Sequence, residues 1–327
     1  MSTRLYRIPT LAALAVSVAT PLLVHGSASA DVIFVRASQA LPLALQTGTT
    51  WTLAYKDLQV ALAAATAGDE IWIAQGTYKP TTTTNRSISF NLKNDVDLIG
   101  GFAGNETLKG QRNILAHPTI LSGEIGTPAL NDNSFHILFG DGTISALTAI
   151  DGLVITRGSA TGGGGDNAGA GADLANSRVF FTSCIFRDNA SNSSGSAVLL
   201  SGSILGRRPQ FANCVFTGNT SKAISIQNDE AVGIVNCTIV GNGGGFNCLN
   251  ATAGTLIVAN SIITANGDGS ELAQFSLTNV PNSNFVHCFI QGWDGVNPSG
   301  NLVSSADPGM IDPDGDGDNK DYYELQI

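Results

Sequence analysis

One nine-residue pattern returns along this chain at intervals too short for separate domains. It stands as FTSCIFRDN at 181–189, FANCVFTGN at 211–219 and IVNCTIVGN at 234–242. Around it the apolar triplets Leu153-Val-Ile155, Cys184-Ile-Phe186, Cys214-Val-Phe216, Cys237-Thr-Ile239, Ser261-Ile-Ile263 and Cys288-Phe-Ile290 follow one another at 31, 30, 23, 24 and 27 residues. Irregular periods of this size belong to a solenoid whose turns carry loops of variable length. In each triplet the first and third residues alternate with one that is often polar or solvent-tolerant, the period of a strand with one buried face.

The conserved spacing within the pattern predicts what fills the coil. A cysteine is small, soft and apolar enough for a narrow interior, and Ser261 in the same place suits a packing slot better than a chemical one. Five cysteines (Cys184, Cys214, Cys237, Cys248, Cys288) cannot all pair within one chain. Strands stacked about 4.8 Å apart leave an occasional bridge open. Three places after the second apolar residue come Asn189, Asn219, Asn242 and Asn266. Asparagine accepts left-handed backbone and bonds to local backbone, so these four are expected at a corner, their amides stacked as a ladder. Between the rungs, Gly195-Ser-Ala-Val198, Ser221-Lys-Ala-Ile224 and the segment 169–174 each read as a turn followed by a fresh strand.

The chain starts differently. Arg4 and Arg7, an apolar run over 11–24 and the small residues Ala28-Ser-Ala30 form a secretory signal, with cleavage expected before Asp31. That run is too short for a spanning helix and contains Pro21, and no other segment could cross a bilayer. Residues 31–327 then form one domain, of which 31–80 is a cap with the first coils. Val32-Ile-Phe-Val35 is the first strand. Leu58, Ala61, Leu62 and Ala65 have helical spacing, and Gly68 can end the helix. A solenoid needs such a cap, because its first coil otherwise exposes an apolar end and an open strand edge. Runs at 71–73, 96–98, 119–121 and 135–137, added to the six triplets, give about ten coils. Only 13% of residues are charged and 38 are glycine, a turn-rich, all-β profile.

Phe186-Arg-Asp-Asn189 and Phe216-Thr-Gly-Asn219, alternating with the Gly195 and Ser221 elements, resemble the FxxN and GGAI repeats of polymorphic outer-membrane proteins. Trp51, Leu58-Gln-Val-Ala-Leu62, Gly68-Asp-Glu-Ile71-Trp-Ile73, Gly76-Thr-Tyr-Lys-Pro80 and the segment 100–107 are similar to the opening coils of secreted pectin-lyase-like proteins. Together the resemblances imply a single-stranded, right-handed parallel β-helix with an N-terminal capping helix. They also imply continuation beyond the final strand, since related secreted β-helices extend past it, often to a sorting or anchoring tail. They specify no reaction.

Candidate chemistry is sparse. Asp312, Asp314, Asp316 and Asp318, within the acidic loop and last strand of 307–327, alternate with glycine at a spacing that can wrap a structural Ca²⁺; a solvated acidic turn is the competing reading. The EF-hand match is partial, because position 12 falls on Tyr323 and the nearest glutamate is Glu324. Arg207 and Arg208, with Lys222 in the next coil, are the cations a polysaccharide lyase would use, and Asp151 is a lone carboxylate candidate; each reads more simply as surface or turn. No clustered aspartates with a neighbouring histidine are apparent, and His136 and His287 read as wall residues. The glycines at 162–165 read as a loop rather than a phosphate cradle.

Loss of the signal removes two of 16 basic and none of 26 acidic residues, leaving 14 − 26 = −12. That charge excludes nucleic acid and anionic lipid as natural partners. The expectation is therefore a secreted or cell-surface, monomeric, non-catalytic β-helix that binds an extracellular polysaccharide or surface glycan in the manner of an adhesin. The alternative is a carbohydrate-active enzyme, a lyase or a hydrolase.

Overall fold

The computed structural model describes residues 30–193, 195–202, 209–227, 231–249, 255–267, 274–278, 283–291 and 302–304. The signal segment 1–29, Arg207, Arg208 and the acidic loop carrying Asp312, Asp314, Asp316 and Asp318 lie outside the described residues.

Three long sheets wrap a common interior, and every pairing between their strands is parallel. The first runs through nine strands from Val32–Val35 to Ser283–Val286, the second through nine from Gly76–Tyr78 to Leu302–Ser304, and the third through seven from Phe90–Asn91 to Phe275–Thr278. Each coil visits the sheets in that order, so the chain is a right-handed parallel β-helix. Runs 96–98 and 119–121 fall on two faces of a single coil, whose third-sheet strand is Leu138–Asp141, just after the expected run at 135–137, whereas Val32–Val35 supplies a coil of its own.

The corners explain the recurring pattern. Between the first and second sheets the chain turns on one left-handed residue: Gly152, Ser183, Asn213, Asn236, Asn260 and His287 have φ of 70°, 50°, 54°, 53°, 50° and 51°. The next residue therefore points into the bore. There Cys184, Cys214, Cys237 and Cys288 are buried, their thiols donating to carbonyls of their own and the preceding coil; Cys184 Sγ lies 3.3 Å from both the Ile150 and Thr182 oxygens. None of these four forms a bridge.

The second corner corrects one expectation. The left-handed residue there is not the ladder asparagine but the one before it: Arg157, Asp188, Gly218, Gly241 and Ala265. Turning one residue earlier aims the amide inward, where Asn189, Asn219, Asn242 and Asn266 are buried. Their Nδ2 groups donate to the next Oδ1 at 3.1, 2.8 and 2.9 Å from Asn189 through Asn242, and Asn266 donates to Gln274 Oε1 at 2.8 Å. Each Nδ2 also donates one coil back, to the carbonyls of Ile155, Phe186, Phe216 and Ile239. The ladder stops at Gly158, which offers only its N–H to Asn189 Oδ1. A Cβ there would lie 2.1 Å from the Ala170 oxygen, so no side chain fits.

Aromatic stacks join neighbouring coils. Phe181 lies parallel to Phe211 at 5.2 Å and Phe186 to Phe216 at 5.0 Å, both within 5°. At the N-terminal end the helix Leu58–Ala64, capped by Asp57 Oδ1 on the Gln59 N–H, buries Leu58, Ala61 and Leu62 over the first coil. The free edge of Val32–Val35 is closed by 48–55: Phe34 N donates to Gly48 O, and Tyr55 N to Phe34 O.

Candidate functional site

The cap and first coils enclose an open groove of about 730 Å³. Its walls come from Lys56–Gln59 at the helix start, from Thr77–Thr82 and from Ser87–Asn91. Two side chains fix the walls. Gln59 Nε2 donates to Pro80 O at 2.8 Å and to Ser89 O at 2.9 Å, bridging two of them. The Tyr78 hydroxyl donates to Ala74 O and accepts from Ala37 N, and burial pushes its phenol far above the usual range. Asp57 accepts the helix-cap bond through Oδ1 and stays exposed, so the exposed groups on the groove are Lys56, Asp57, Thr77, Lys79, Thr82, Ser87 and Asn91. Glu124 lies 3.9 Å from Lys79 but is drawn closer to Arg157, at 2.6 Å.

Asn91 also begins a column of residues in register. Register in the third sheet aligns Asn91, Phe139, Asp173, Leu199, Ser225, Asn247 and Ser276 in successive strands. Asp173 is the one carboxylate in that column among the described residues. Alternation in Ala172–Ala175 buries Ala172 and Leu174 and turns Asp173 outward, between Phe139 and Leu199.

The segment 161–169 folds over this position. Gly169 packs so closely that a Cβ on it would stand 3.0 Å from Asp173 Cβ, and its φ of 70° keeps the turn in left-handed backbone. His136, buried just ahead of Leu138–Asp141, holds the segment at two points: Nδ1 lies 3.0 Å from Gly169 O and Nε2 3.4 Å from Asp166 Oδ1. The first contact requires the proton on Nδ1; the second becomes attractive when Nε2 is protonated too. Arg86 anchors the start of the segment, donating to Asn133 O, Ser159 O and Thr161 Oγ1 and covering the Phe135 ring at 4.1 Å.

No hydrogen bond reaches the Asp173 carboxyl from the described residues. Burial pushes it up to about 6, with His136 acting to lower it and the Asp166 charge to raise it. The structure thus assembles two aspartates and a histidine where the sequence suggested no such cluster. The available signal was an acidic residue in a slot whose counterparts, Leu199, Ser225 and Asn247, are neutral. His136 and Asp166 carried none, since only the fold of 161–169 brings them together.

Asp151 is placed elsewhere. It ends the strand Thr148–Asp151, and its Oδ2 pairs at 2.5 Å with Arg112, which also donates to Gly100 O. His287 is an exposed corner residue. Burial pulls the ammonium of Lys222, in the strand Lys222–Gln227, below its usual range. Among the described residues no group of three acidic, histidine or cysteine side chains is arranged to hold a metal, and no helix is long and apolar enough to cross a membrane.

A family profile described as a right handed beta helix region matches residues 151–305, just under half of the chain. No curated protein matches it in sequence. Among solved structures it is similar to the pectate lyase Pel9A, with a TM-score of 0.55 and 14% identity over 85% of this chain and 68% of that one. It is also similar to the pectin methylesterase PemA from Erwinia chrysanthemi, at 0.46 and 11% over 83% and 92%. At 14% identity the likeness to Pel9A is one of fold.

Proposed function

We propose that this chain is an exported β-helix that holds an extended extracellular polysaccharide along the outer face of its third sheet, anchored in the groove beside Asn91. The observation that carries the reading is the groove itself. It is fixed by Gln59 and Tyr78, and it presents two ammonium groups, one carboxylate, hydroxyls and an amide on a molecule whose overall charge is strongly negative. Such a mixture of adaptable donors on rigid walls suits sugar hydroxyls and carboxylates. The signal-like residues 1–30 supply the route of export.

The test is affinity electrophoresis and calorimetry of the mature protein against pectin, alginate, glycosaminoglycan and neutral polysaccharides. Replacing both Lys56 and Lys79 by alanine is expected to weaken the best ligand at least tenfold; unchanged affinity removes the groove from the reading.

A second reading, cleavage of the bound glycan, is favoured by Asp173, whose carboxylate burial makes more basic than usual and so suited to general-base work. Release of reducing ends or unsaturated product in the same incubations, abolished by Asp173→Asn, would move the protein into that class.

A further inference from the structure

The tip of the segment over Asp173 is joined to the body of the protein in an unusual way. Gly162 rests against the Phe135 ring, where a Cβ would lie 3.0 Å from it, whereas a Cβ on the exposed Gly163, Gly164 or Gly165 would meet nothing within 4 Å. The tip's own backbone bonds, Gly162 N to Asp166 O and Asp166 N to Gly163 O, are internal to it. Its flanks are fastened independently of pH: Thr161 by Arg86 and Asn192, Asn167 O by Ser193 N, and Gly169 N by Gly195 O. The side-chain tether from the tip to the body is Asp166 to His136.

We infer that residues 162–166 form a proton-operated latch, closed over Asp173 when His136 is cationic and Asp173 neutral, and released when both have lost their protons. With Nδ1 donating to Gly169, a second proton on Nε2 turns the Asp166 contact into an ion pair; without it, a nitrogen lone pair faces a carboxylate. Ionised Asp173 adds a second repulsion, since its charge and that of Asp166 act on each other. Both changes push the same way.

The charged and titratable groups around Asp173 are accounted for from each side. His136 faces it from the preceding coil and Asp166 from the overlying segment, while Leu199 occupies the next coil. Arg86 attracts Asp166 but stays charged throughout, so it biases the latch without switching it. Release would uncover the column between Phe139 and Leu199; that consequence rests on the glycan-binding reading, whereas the latch itself does not.

Hydrogen–deuterium exchange of the intact mature protein at pH 5 and pH 8, corrected for intrinsic exchange chemistry, tests the latch without any glycan. The hydrogen-bonded amides of the tip, Gly162 and Asp166, are expected to be at least tenfold more protected at pH 5. Asp166→Asn, at a half-buried position, should leave them fast at both values, and His136→Gln should flatten the pH dependence. Equal protection of the parent at the two pH values overturns the inference, as does a pH dependence that survives in Asp166→Asn. Polysaccharide binding measured separately at both values reports on the functional reading alone: absence of binding beside an intact exchange difference would sink that reading and leave the latch standing.

Discussion

At the scale of single residues, the acidic side chains differ in what holds them. Asp69 accepts from the N–H groups of Asp31 and Thr66, Glu106 from those of Ala103, Gly104 and Asn105, and Asp151 pairs with Arg112. Asp173 has no such partner and sits between apolar neighbours, an arrangement that costs stability once it ionises. Because its folded value is raised, the native state binds a proton more tightly than the unfolded chain between roughly pH 4 and pH 6. Stability from this group is therefore present at low pH and lost as pH rises through about 6. Asp173→Asn is expected to raise unfolding free energy at pH 8 by on the order of 1–3 kcal/mol, and to change it little at pH 4. Urea denaturation at the two values measures the difference.

At the scale of elements, the two corners and the ladder work together. A left-handed residue turns the strand, and the residue after it enters the bore, as a thiol at one corner and an amide at the other. The amide then satisfies a carbonyl one coil back and its counterpart one coil ahead. Asn219→Ala would leave the Phe186 carbonyl and the Asn189 N–H and Nδ2 without their bonds in a dry corner. Each orphaned group costs roughly 1–3 kcal/mol, so a loss of at least about 2 kcal/mol is expected. Asn192→Ala, on the exposed side of the preceding coil, should fall within about 0.5 kcal/mol of the parent. Chemical denaturation of the pair checks both. The rung was legible in the sequence from its spacing; its inward aim was not, because spacing alone does not say which of two neighbouring residues takes the left-handed conformation.

At the scale of the whole molecule, strands stacked at about 4.8 Å make a rod whose coils contact only their neighbours, so stability passes along it from the ends. The N-terminal end is closed twice, by the apolar face of Leu58–Ala64 and by 48–55 on the first strand. A chain beginning at Glu70 would present Ile71, Ile73 and Leu98 at an open end and a bare edge on Glu70–Ala74. It is expected to aggregate or to lose its cooperative melt, as followed by circular dichroism and sedimentation.

What the sequence by itself determined was the repeating geometry: the alternation of each triplet, the thiol and amide slots, the capping helix and hence the parallel coil. Those follow from local periodicity and from side-chain volumes that recur whenever the same place in the coil recurs. The tertiary structure alone decided where function could lie. Gln59 and Tyr78 form a groove from segments some twenty to thirty residues apart in the chain, and His136, Asp166 and Asp173 meet because one coil's loop folds across the next strand. Such meetings leave no period in the chain, since they depend on loops that each occur once.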